Sequence, residues 1–350
     1  MSKRVLLIKL TSMGDLMHAL PALTDAATAI PGIEFDWVVD EAFAEVPSWH
    51  PAVNQIIRSA HRRWKKDLSQ SIFGGQLANF YSQLNHADYD VILDAQNNIK
   101  SAVISTLRRG KIHGLSKDSI RETPAHWAYR YQHNADKSQH AIARQRLLFS
   151  EAIGYDLPQT APDYGIDRSM MQLPDIKLPE RFLFFVHNAS WTTKLWPESH
   201  WHKLIEQAGD AGYEVLLPCG NDEELARAQR LAEQHSNAIA LPKLSLSHIG
   251  GIMDKAEGVV TCDTGLCHLA GMLDLPSVSF YGPTSDQLVG ATGLNQQHII
   301  ASSEDFSCAP CYGRSCTKDG GDTEMSDCME SFLPEQIWTA LTELIAKRSY

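Results

Sequence analysis

Short apolar runs, polar turns and helical spacing follow one another along the first third of the chain. Residues 5–8 form one such run, and apolar residues then recur at helical spacing at Leu16, Leu20, Leu23 and Ala27. Further runs begin near residues 35 and 89, and the repetition continues to about residue 115. Continuous apolar runs are typical of buried parallel strands. The pattern therefore predicts an α/β fold.

A second series of the same units begins near residue 181. The predicted strands cover residues 182–186, 214–218, 258–262 and 277–281, with helical patterns near 197–209, 222–234 and 264–273. Prolines without a clear period fill residues 157–180, and polar and aromatic residues mix over 116–139, where we expect an ordered functional loop. We predict an N-terminal domain (1–156), a linker (157–180), a second domain (181–332) and a C-terminal helix (333–350) that could pack back on the first domain.

Length and charge narrow the class of protein. The 350 residues, 43% of them hydrophobic, suit two domains rather than one. A net charge of −11 argues against nucleic-acid binding, which needs a broad basic surface. Lys9 interrupts the first apolar run, so we do not interpret it as a signal peptide, and no run has the roughly 20 apolar residues of a membrane span. We expect a cytoplasmic protein that could touch a membrane surface.

The seven cysteines fall into two groups. Cys219, Cys262 and Cys267 lie in apolar or tight-turn contexts, as reduced core thiols do. The other four have C-x2-C-x4-C-x11-C spacing and are Cys308, Cys311, Cys316 and Cys328. Four thiolates suit a tetrahedral structural zinc ion, whereas clustered thiols could also simply pack a loop against the second domain. Disulfides are not expected in a reducing compartment.

The stretch LTSMGD, residues 10–15, places an acid where the first strand turns into a helix. An aspartate at this position can cap the helix through the backbone amides of its first turn. It can also face a substrate and accept a proton from it. The sequence alone leaves both roles for Asp15 open.

Three turns in the second half carry candidate anion-binding groups. One turn holds Asp263, Thr264 and Gly265, one holds Ser190, Thr192, Thr193 and Lys194, and one holds Glu223 and Glu224. Taken singly, these residues could be helix caps, a solvated lysine and exposed glutamates. Turns at the carboxyl ends of parallel strands converge on one edge, where ligands bind. Together they predict a site for a nucleoside diphosphate.

The segment HRRWKK, residues 61–66, is a basic cluster in an acidic chain. Its four cations are Arg62, Arg63, Lys65 and Lys66. A short charged run is often a solvated helix face, but Trp64 in its middle favours an anion-binding patch. Lys100, Arg121 and Arg144 could add to this patch.

The ordered motifs SMGD, RRWKK, YDVILDAQ, KLWPESHW, DTGLCHLA and YGPT resemble the lipopolysaccharide heptosyltransferases of glycosyltransferase family 9, and their type I members most strongly. The resemblance implies a GT-B fold, two Rossmann-like α/β domains facing across a cleft, with acceptor on the first and donor on the second. It also implies metal-independent, inverting transfer of L-glycero-D-manno-heptose from ADP-heptose to the Kdo sugar of Kdo-lipid A. No cofactor is required, and the enzyme would act as a monomer, peripheral to the cytoplasmic face of the inner membrane.

The resemblance also assigns roles by position. Asp15 matches the general base, and Lys194 matches a lysine that contacts the donor phosphates. The remaining donor-side matches are Ser190, Thr193, Glu224, Asp263, Thr264, Gly265 and His268. The acceptor-side matches are Ser12, Met13, Gly14, Arg62, Arg63, Lys65, Lys66, Arg121 and Arg144.

Some features depart from the type I pattern. Thr192 and Thr193 stand where acidic residues are expected, and the cysteine-bearing tail looks more like that of type II enzymes. A heptosyltransferase that adds a later heptose therefore remains an alternative. More distant alternatives are a nucleotide-sugar epimerase with a similar donor site and a catalytically silent sugar- or lipid-binding protein. The basic segment argues against the epimerase, and the presence of both Asp15 and Lys194 argues against the silent protein.

Overall fold

The structure, a computed structural model, describes residues 3–302, 304–316 and 326–348. The chain divides into two compact units, Met1–Met170 and Met171–Tyr350. Each unit contains one six-stranded sheet whose strand pairs are all parallel, so the predicted α/β class is confirmed. Within the described ranges, every helix is too short or too polar to cross a membrane.

The first unit has the strand order β3-β2-β1-β4-β5-β6. Its strands are β1 Arg4–Ile8, β2 Glu34–Asp40, β3 Val53–Ser59, β4 Val91–Asp94, β5 Ile112–Leu115 and β6 Tyr131–His133. Its α-helices are α1 Met13–Met17, α2 Leu20–Ala29, α3 Glu45–Ser48, α4 His61–Lys66, α5 Leu68–Phe73, α6 Gln76–Leu84, α7 Ile99–Thr106 and α8 Ala141–Ile153. Short 3-10 helices cover Glu41–Phe43, Thr123–Ala128 and Arg168–Met170.

The second unit has the strand order β12-β11-β10-β7-β8-β9. Its strands are β7 Phe182–Val186, β8 Glu214–Leu217, β9 Ala238–Ala240, β10 Gly258–Cys262, β11 Ser277–Tyr281 and β12 Gln296–Ile300. Its α-helices are α9 Glu198–Asp210, α10 Asp222–Glu233, α11 Leu246–Met253, α12 Gly265–Met272, α13 Asp286–Val289, α14 Asp327–Glu330 and α15 Pro334–Arg348. A 3-10 helix covers Thr192–Lys194.

The two sheets share one topology, because each unit winds outward from its first strand and then reverses. The reversal lies between β1 and β4 in the first unit and between β7 and β10 in the second. In open parallel sheets of this kind, ligands bind beyond the carboxyl ends of the strands at the point of reversal. The turns that follow β1, β4, β7 and β10 are therefore the places to look for a site.

The C-terminal helix α15 belongs to the core of the second unit. Its apolar residues Ile337 and Leu341 are buried together with Val260 of β10 and Phe280 of β11. This packing on the second sheet is a role that the sequence analysis does not include. Residues 349–350 of the predicted helix lie outside the described part of the chain.

The expectation of a loop over residues 116–139 is wrong in part. The segment contains a 3-10 helix, Thr123–Ala128, and the edge strand β6, which pairs with β5 from His113 to Leu115. Strand β6 has only three residues, two of them exposed, so it carries no apolar signal. The predicted strand from residue 35 ends earlier than its apolar pattern, because the Asp40 side chain accepts a hydrogen bond from the Ala42 amide and starts a 3-10 helix.

Candidate active site

Asp15 lies at the carboxyl end of β1 and does cap a helix. Its Oδ2 accepts hydrogen bonds from the Ser12 amide at 2.9 Å and from the Ser12 hydroxyl at 2.7 Å, as part of a capping box for α1. Asp15 is half-buried and Ser12 is exposed, whereas Gly14 is buried within α1. Both bonds use Oδ2, and none of the described residues donates to Oδ1. The cap therefore orients the carboxylate and leaves one oxygen available.

Gln96 fixes the turn that carries Asp15. The side chain of Gln96 follows β4, and its Oε1 accepts hydrogen bonds from the amides of Leu10 at 2.7 Å and Thr11 at 2.9 Å. These bonds connect the end of β4 to the end of β1 across the point where the strand order reverses. The turn is thus held by the sheet beneath it.

Lys9 is a buried cation next to this turn. It is 4% exposed, and its Nζ donates to the carbonyl of Ala95 at 3.0 Å. Burial lowers the pKa of Lys9, while the negative charges of Asp15 and Asp94 act against this shift. Asp94 is itself buried and accepts a hydrogen bond from the Tyr129 hydroxyl at 2.7 Å. Lys9 places positive charge behind the candidate base.

The basic segment forms helix α4, and its arginines have carboxylate partners. Arg62 Nε lies 3.5 Å from Asp40 Oδ2, and Arg63 Nη2 lies 2.8 Å from Glu41 Oε2. Both arginines remain more than half exposed, with side chains 63% and 55% accessible. Their guanidinium groups can therefore still contact an anion in solvent, although part of their charge is balanced within the unit.

Trp64 has a structural role that weakens one argument from the sequence. Its ring packs edge-on against Phe80 at 5.2 Å, next to the first unit's core, and its Nε1 donates to Gln76 Oε1 at 3.1 Å. Trp64 anchors α4 to the unit, so its presence does not by itself indicate an anion-binding patch.

The other predicted acceptor residues are not all brought together. Lys65, Lys66 and Arg121 are exposed, and among the residues described they form no ion pair with a carboxylate. Arg144 is half-buried on α8, where its Nη2 donates to the Ser119 carbonyl at 2.6 Å, and burial lowers its pKa. The structure thus gives Arg144 a hydrogen-bonded position on α8 and leaves the two lysines and Arg121 exposed to solvent.

On the second unit, Lys194 and Asp263 form one ion pair at the point of reversal. Lys194 follows β7 and Asp263 follows β10, and Lys194 Nζ lies 2.6 Å from Asp263 Oδ2. The Thr284 hydroxyl, from the turn after β11, donates to the same oxygen at 2.6 Å. The predicted convergence of these turns on one sheet edge thus joins Lys194 and Asp263 directly.

Helix α12 begins beside this pair. The Thr264 side chain caps it by accepting from the Leu266 amide at 3.3 Å, and Gly265 is its first residue. His268 is buried on α12, and one ligand atom each from Asp263, Cys267 and His268 lie within 4.8 Å of one another. Burial raises the pKa of the Cys267 thiol to about 12, so the thiol is protonated at neutral pH.

Ser190, Thr193 and Lys194 belong to a segment that we call the donor turn, residues 190–194. Ser190 is exposed, whereas Thr193 is 2% exposed. The Thr193 hydroxyl donates to the Gly313 carbonyl at 2.8 Å, so it is not directed at a ligand in this structure. The ring of Trp191 lies 4.6 Å from Lys194 Nζ.

Glu224 makes its contacts within its own turn. Its Oε2 accepts from the Gly220 amide at 2.7 Å, and its Oε1 accepts from the Asn221 side chain at 3.0 Å. Asn221 in turn caps α10 by accepting from the Glu224 amide. The structure thus gives Glu224 a capping role at the carboxyl end of β8, and a ribose would have to compete for these oxygens.

The C-terminal cysteines lie on a segment that we call the cysteine loop, residues 306–316, and on α14. The four thiols line one small cavity together with Thr193, and their mutual repulsion adds to burial in raising the pKa of Cys328 to about 11. Among the described residues they do not form a group with three sulfur atoms within 4.8 Å of one another. The zinc hypothesis for Cys308, Cys311, Cys316 and Cys328 stays a prediction.

Sequence reasoning missed several residues that shape the site. Gln96 and Thr284 end the motifs YDVILDAQ and YGPT, but the motifs do not show the contacts that these two side chains make across the fold. Lys9 carried a signal, since a lysine directly after a buried strand needs a buried partner. For Gln96 the only signal is its place directly after an apolar run, in YDVILDAQ.

Comparisons with known proteins agree with this geometry. The sequence profile of glycosyltransferase family 9 (heptosyltransferase) matches residues 77–320. Lipopolysaccharide heptosyltransferase 1 of Pseudomonas aeruginosa is 46% identical over 315 residues, which are 90% of this chain and 87% of that protein.

Two solved structures of Escherichia coli heptosyltransferase WaaC are also similar. The structure with ADP has a TM-score of 0.83 and 38% identity, and the match covers 97% of this chain and 99% of that chain. The structure with ADP-2-deoxy-2-fluoro heptose has a TM-score of 0.81 and 37% identity, with the same coverage. Together with the two parallel six-stranded sheets, these matches confirm the GT-B fold and the resemblance predicted from the motifs. The chain belongs to glycosyltransferase family 9, the heptosyltransferases.

Proposed function

We propose that the chain transfers heptose from ADP-heptose to the inner core of lipopolysaccharide, as heptosyltransferase I. The observation that carries the chemistry is the Asp15 carboxylate, which is oriented through Oδ2 and has Oδ1 available. The similarity to type I enzymes over 90% of the chain supports the choice of donor and of acceptor class.

In this mechanism Asp15 is the general base. Oδ1 takes the proton of an acceptor hydroxyl while the hydroxyl oxygen forms a bond to the anomeric carbon of heptose. The bond between the anomeric carbon and the ADP oxygen breaks on the opposite face, and its electron pair leaves with ADP. Displacement from the opposite face inverts the anomeric centre. Lys9 lies behind the turn and interacts electrostatically with the Asp15 carboxylate.

Groups on the second unit stabilise the departing ADP. Lys194 supplies a cation at the carboxyl edge of the sheet, and Asp263 holds its ammonium group in place at 2.6 Å. Backbone amides at the start of α12, near Thr264 and Gly265, add partial positive charge. Such preorganised groups act where negative charge develops in the transition state. His268, Ser190 and Glu224 complete the proposed donor site, and Thr193 supports it through the hydrogen bond that its hydroxyl donates to the Gly313 carbonyl.

The acceptor in this proposal is the anionic glycolipid Kdo-lipid A. Exposed cations can form charge-assisted hydrogen bonds with carboxylates and phosphates. The proposed acceptor residues are Ser12, Met13, Gly14, Arg62, Arg63, Lys65, Lys66, Arg121 and Arg144. A lipid-linked acceptor would bring the enzyme to the cytoplasmic face of the inner membrane as a peripheral monomer.

Catalysis by these groups requires no metal ion. Lys194 and the amides of α12 provide the positive charge that a divalent cation would otherwise supply. Turnover should therefore persist after dialysis against EDTA. Elemental analysis of the same sample tests the separate hypothesis of structural zinc at the four C-terminal cysteines, which would require about one ion per chain.

One experiment tests the assignment of the acceptor. The enzyme is incubated with ADP-heptose and either Kdo-lipid A or a core that already carries the first heptose, and each product is analysed by mass spectrometry. Gain of one heptose on Kdo-lipid A alone is the expected result. Gain on the heptosylated core alone would show a later heptosyltransferase, the alternative that the cysteine-bearing tail favours.

A further inference from the structure

The cysteine loop is attached directly to the donor turn. The Thr193 hydroxyl donates to the Gly313 carbonyl at 2.8 Å, and the Thr192 hydroxyl donates to the Arg314 carbonyl at 3.4 Å. The Ser326 hydroxyl, at the start of α14, donates to the Thr193 carbonyl at 2.7 Å. These bonds hold the backbone of Arg314 beside the residues that precede Lys194, and they leave its guanidinium group unused.

Arg314 brings a second cation to the donor turn. Its guanidinium carbon lies 5.2 Å from the centre of the Trp191 ring, and Lys194 Nζ lies 4.6 Å from the same centre. Arg314 is exposed, and among the described residues no carboxylate forms an ion pair with it. Stacking on an indole restricts where the guanidinium can be and leaves its N–H donors free.

The local charge shows why a second cation matters. Lys194 and Asp263 form a pair with no net charge, and Thr284 donates to the same carboxylate oxygen. A diphosphate that binds here would contact Lys194, whose positive charge is already balanced by Asp263. Arg314 makes the donor turn positive overall, and its planar fork of donors suits two phosphate oxygens at once.

We propose that Arg314 is a donor-binding residue that contacts the diphosphate of ADP-heptose together with Lys194. This inference rests on the proposed function, because it takes the donor turn as the place where the diphosphate binds. In this view the cysteine loop completes the donor site, and the Thr192 and Thr193 hydroxyls serve to attach it.

The test measures the binding of ADP and of adenosine to the wild type, Arg314→Ala and Arg314→Lys by isothermal titration calorimetry. Arg314→Ala should raise the Kd for ADP about ten-fold or more, the usual loss for a hydrogen bond to a charged group. Adenosine lacks phosphates, so its binding should not change. Arg314→Lys keeps the charge and loses the fork, so it should recover part of the affinity.

Arg181→Ala is the matched control. Arg181 also stacks on an aromatic ring, 4.5 Å from the centre of Tyr213, but it precedes β7 and so lies at the opposite edge of the same sheet. It should bind ADP like the wild type. Circular dichroism checks that each variant is folded.

The outcomes separate this inference from the function it rests on. Unchanged ADP affinity in Arg314→Ala would overturn the inference, and so would equal losses for ADP and adenosine or an equal loss in Arg181→Ala. If the wild type bound no ADP and transferred no heptose, the proposed function itself would fail.

Discussion

Replacing Asp15 with asparagine separates the two roles of this side chain. The asparagine carbonyl oxygen can still accept the hydrogen bonds that Ser12 donates through its amide and hydroxyl at 2.9 and 2.7 Å. An amide cannot take a proton from an alcohol at neutral pH. Asp15→Asn therefore keeps the helix cap and removes the base, whereas Asp15→Ala removes both.

The expected magnitudes differ enough to be measured apart. Each of the two hydrogen bonds contributes about 0.5–1.5 kcal/mol, so Asp15→Ala should lower the free energy of unfolding by about 1–3 kcal/mol. Asp15→Asn should lower it much less. Loss of a general base costs about 10²–10⁴-fold in rate, which corresponds to about 2.7–5.4 kcal/mol in the activation barrier. Both variants should show that loss.

Release of ADP, measured in a coupled assay with ADP-heptose and saturating acceptor, gives kcat for both variants. Urea denaturation gives their stability, and ADP binding shows whether the donor site is intact. If Asp15→Asn kept about a tenth or more of wild-type turnover, Asp15 would be a helix cap and not the base. Equal stability of the two variants would contradict the capping argument.

Three further predictions concern other parts of the chain. Lys194→Ala should weaken ADP binding about ten-fold or more, because a charge-assisted contact is lost and Asp263 is left buried without its cation. Isothermal titration calorimetry measures the Kd for ADP, and an unchanged Kd would remove Lys194 from the donor site. Replacing Arg62 and Arg63 together by alanine should raise the KM for the anionic acceptor and flatten its dependence on salt. Stability should also fall, because the Asp40 carboxylate that pairs with Arg62 is only 3% exposed and would lose this cation. A KM and salt slope like those of the wild type would argue for a solvated helix face. Burial lowers the pKa of His187 to about 3, below its value of about 6.5 in the unfolded chain. As the pH falls, the unfolded state therefore takes up a proton first. The free energy of unfolding should decrease by about 1.4 kcal/mol per pH unit from pH 6.5 towards 3. Denaturation of His187→Gln at several pH values should show a shallower decline of the free energy of unfolding over that range. A decline identical to that of the wild type would refute the attribution of this pH dependence to His187.

The central strands could be predicted from the sequence because burial leaves a simple signal. The runs at residues 182–186, 258–262 and 277–281 have the bounds of β7, β10 and β11, which are buried throughout. The sequence analysis predicts none of the edge strands, β3, β6, β9 and β12. Most of their residues are exposed or half-buried, so their pattern mixes polar and apolar residues. A fully buried strand can therefore be recognised from its own apolar sequence, whereas an edge strand cannot.

The contacts of the candidate site could also be predicted only in part. The meeting of Lys194 and Asp263 could be anticipated, because both follow strands whose carboxyl ends share one edge. The pairing of Arg62 with Asp40 could not be anticipated, since Arg62 lies on α4, Asp40 ends β2, and no sequence spacing connects them. Trp64 was misleading for the same reason, because its partner Phe80 lies on another helix.

The two bonds from Gln96 to the amides of Leu10 and Thr11 have a consequence for how fast the enzyme can work. The chain before Asp15 loses its conformational freedom during folding, because the Gln96 side chain, which follows the neighbouring strand β4, accepts hydrogen bonds from its backbone. An arriving alcohol therefore meets a base that needs no rearrangement, and the entropy of aligning that base does not count against each turnover. Lengthening or loosening this turn would slow the reaction even if every group that touches the sugar were kept.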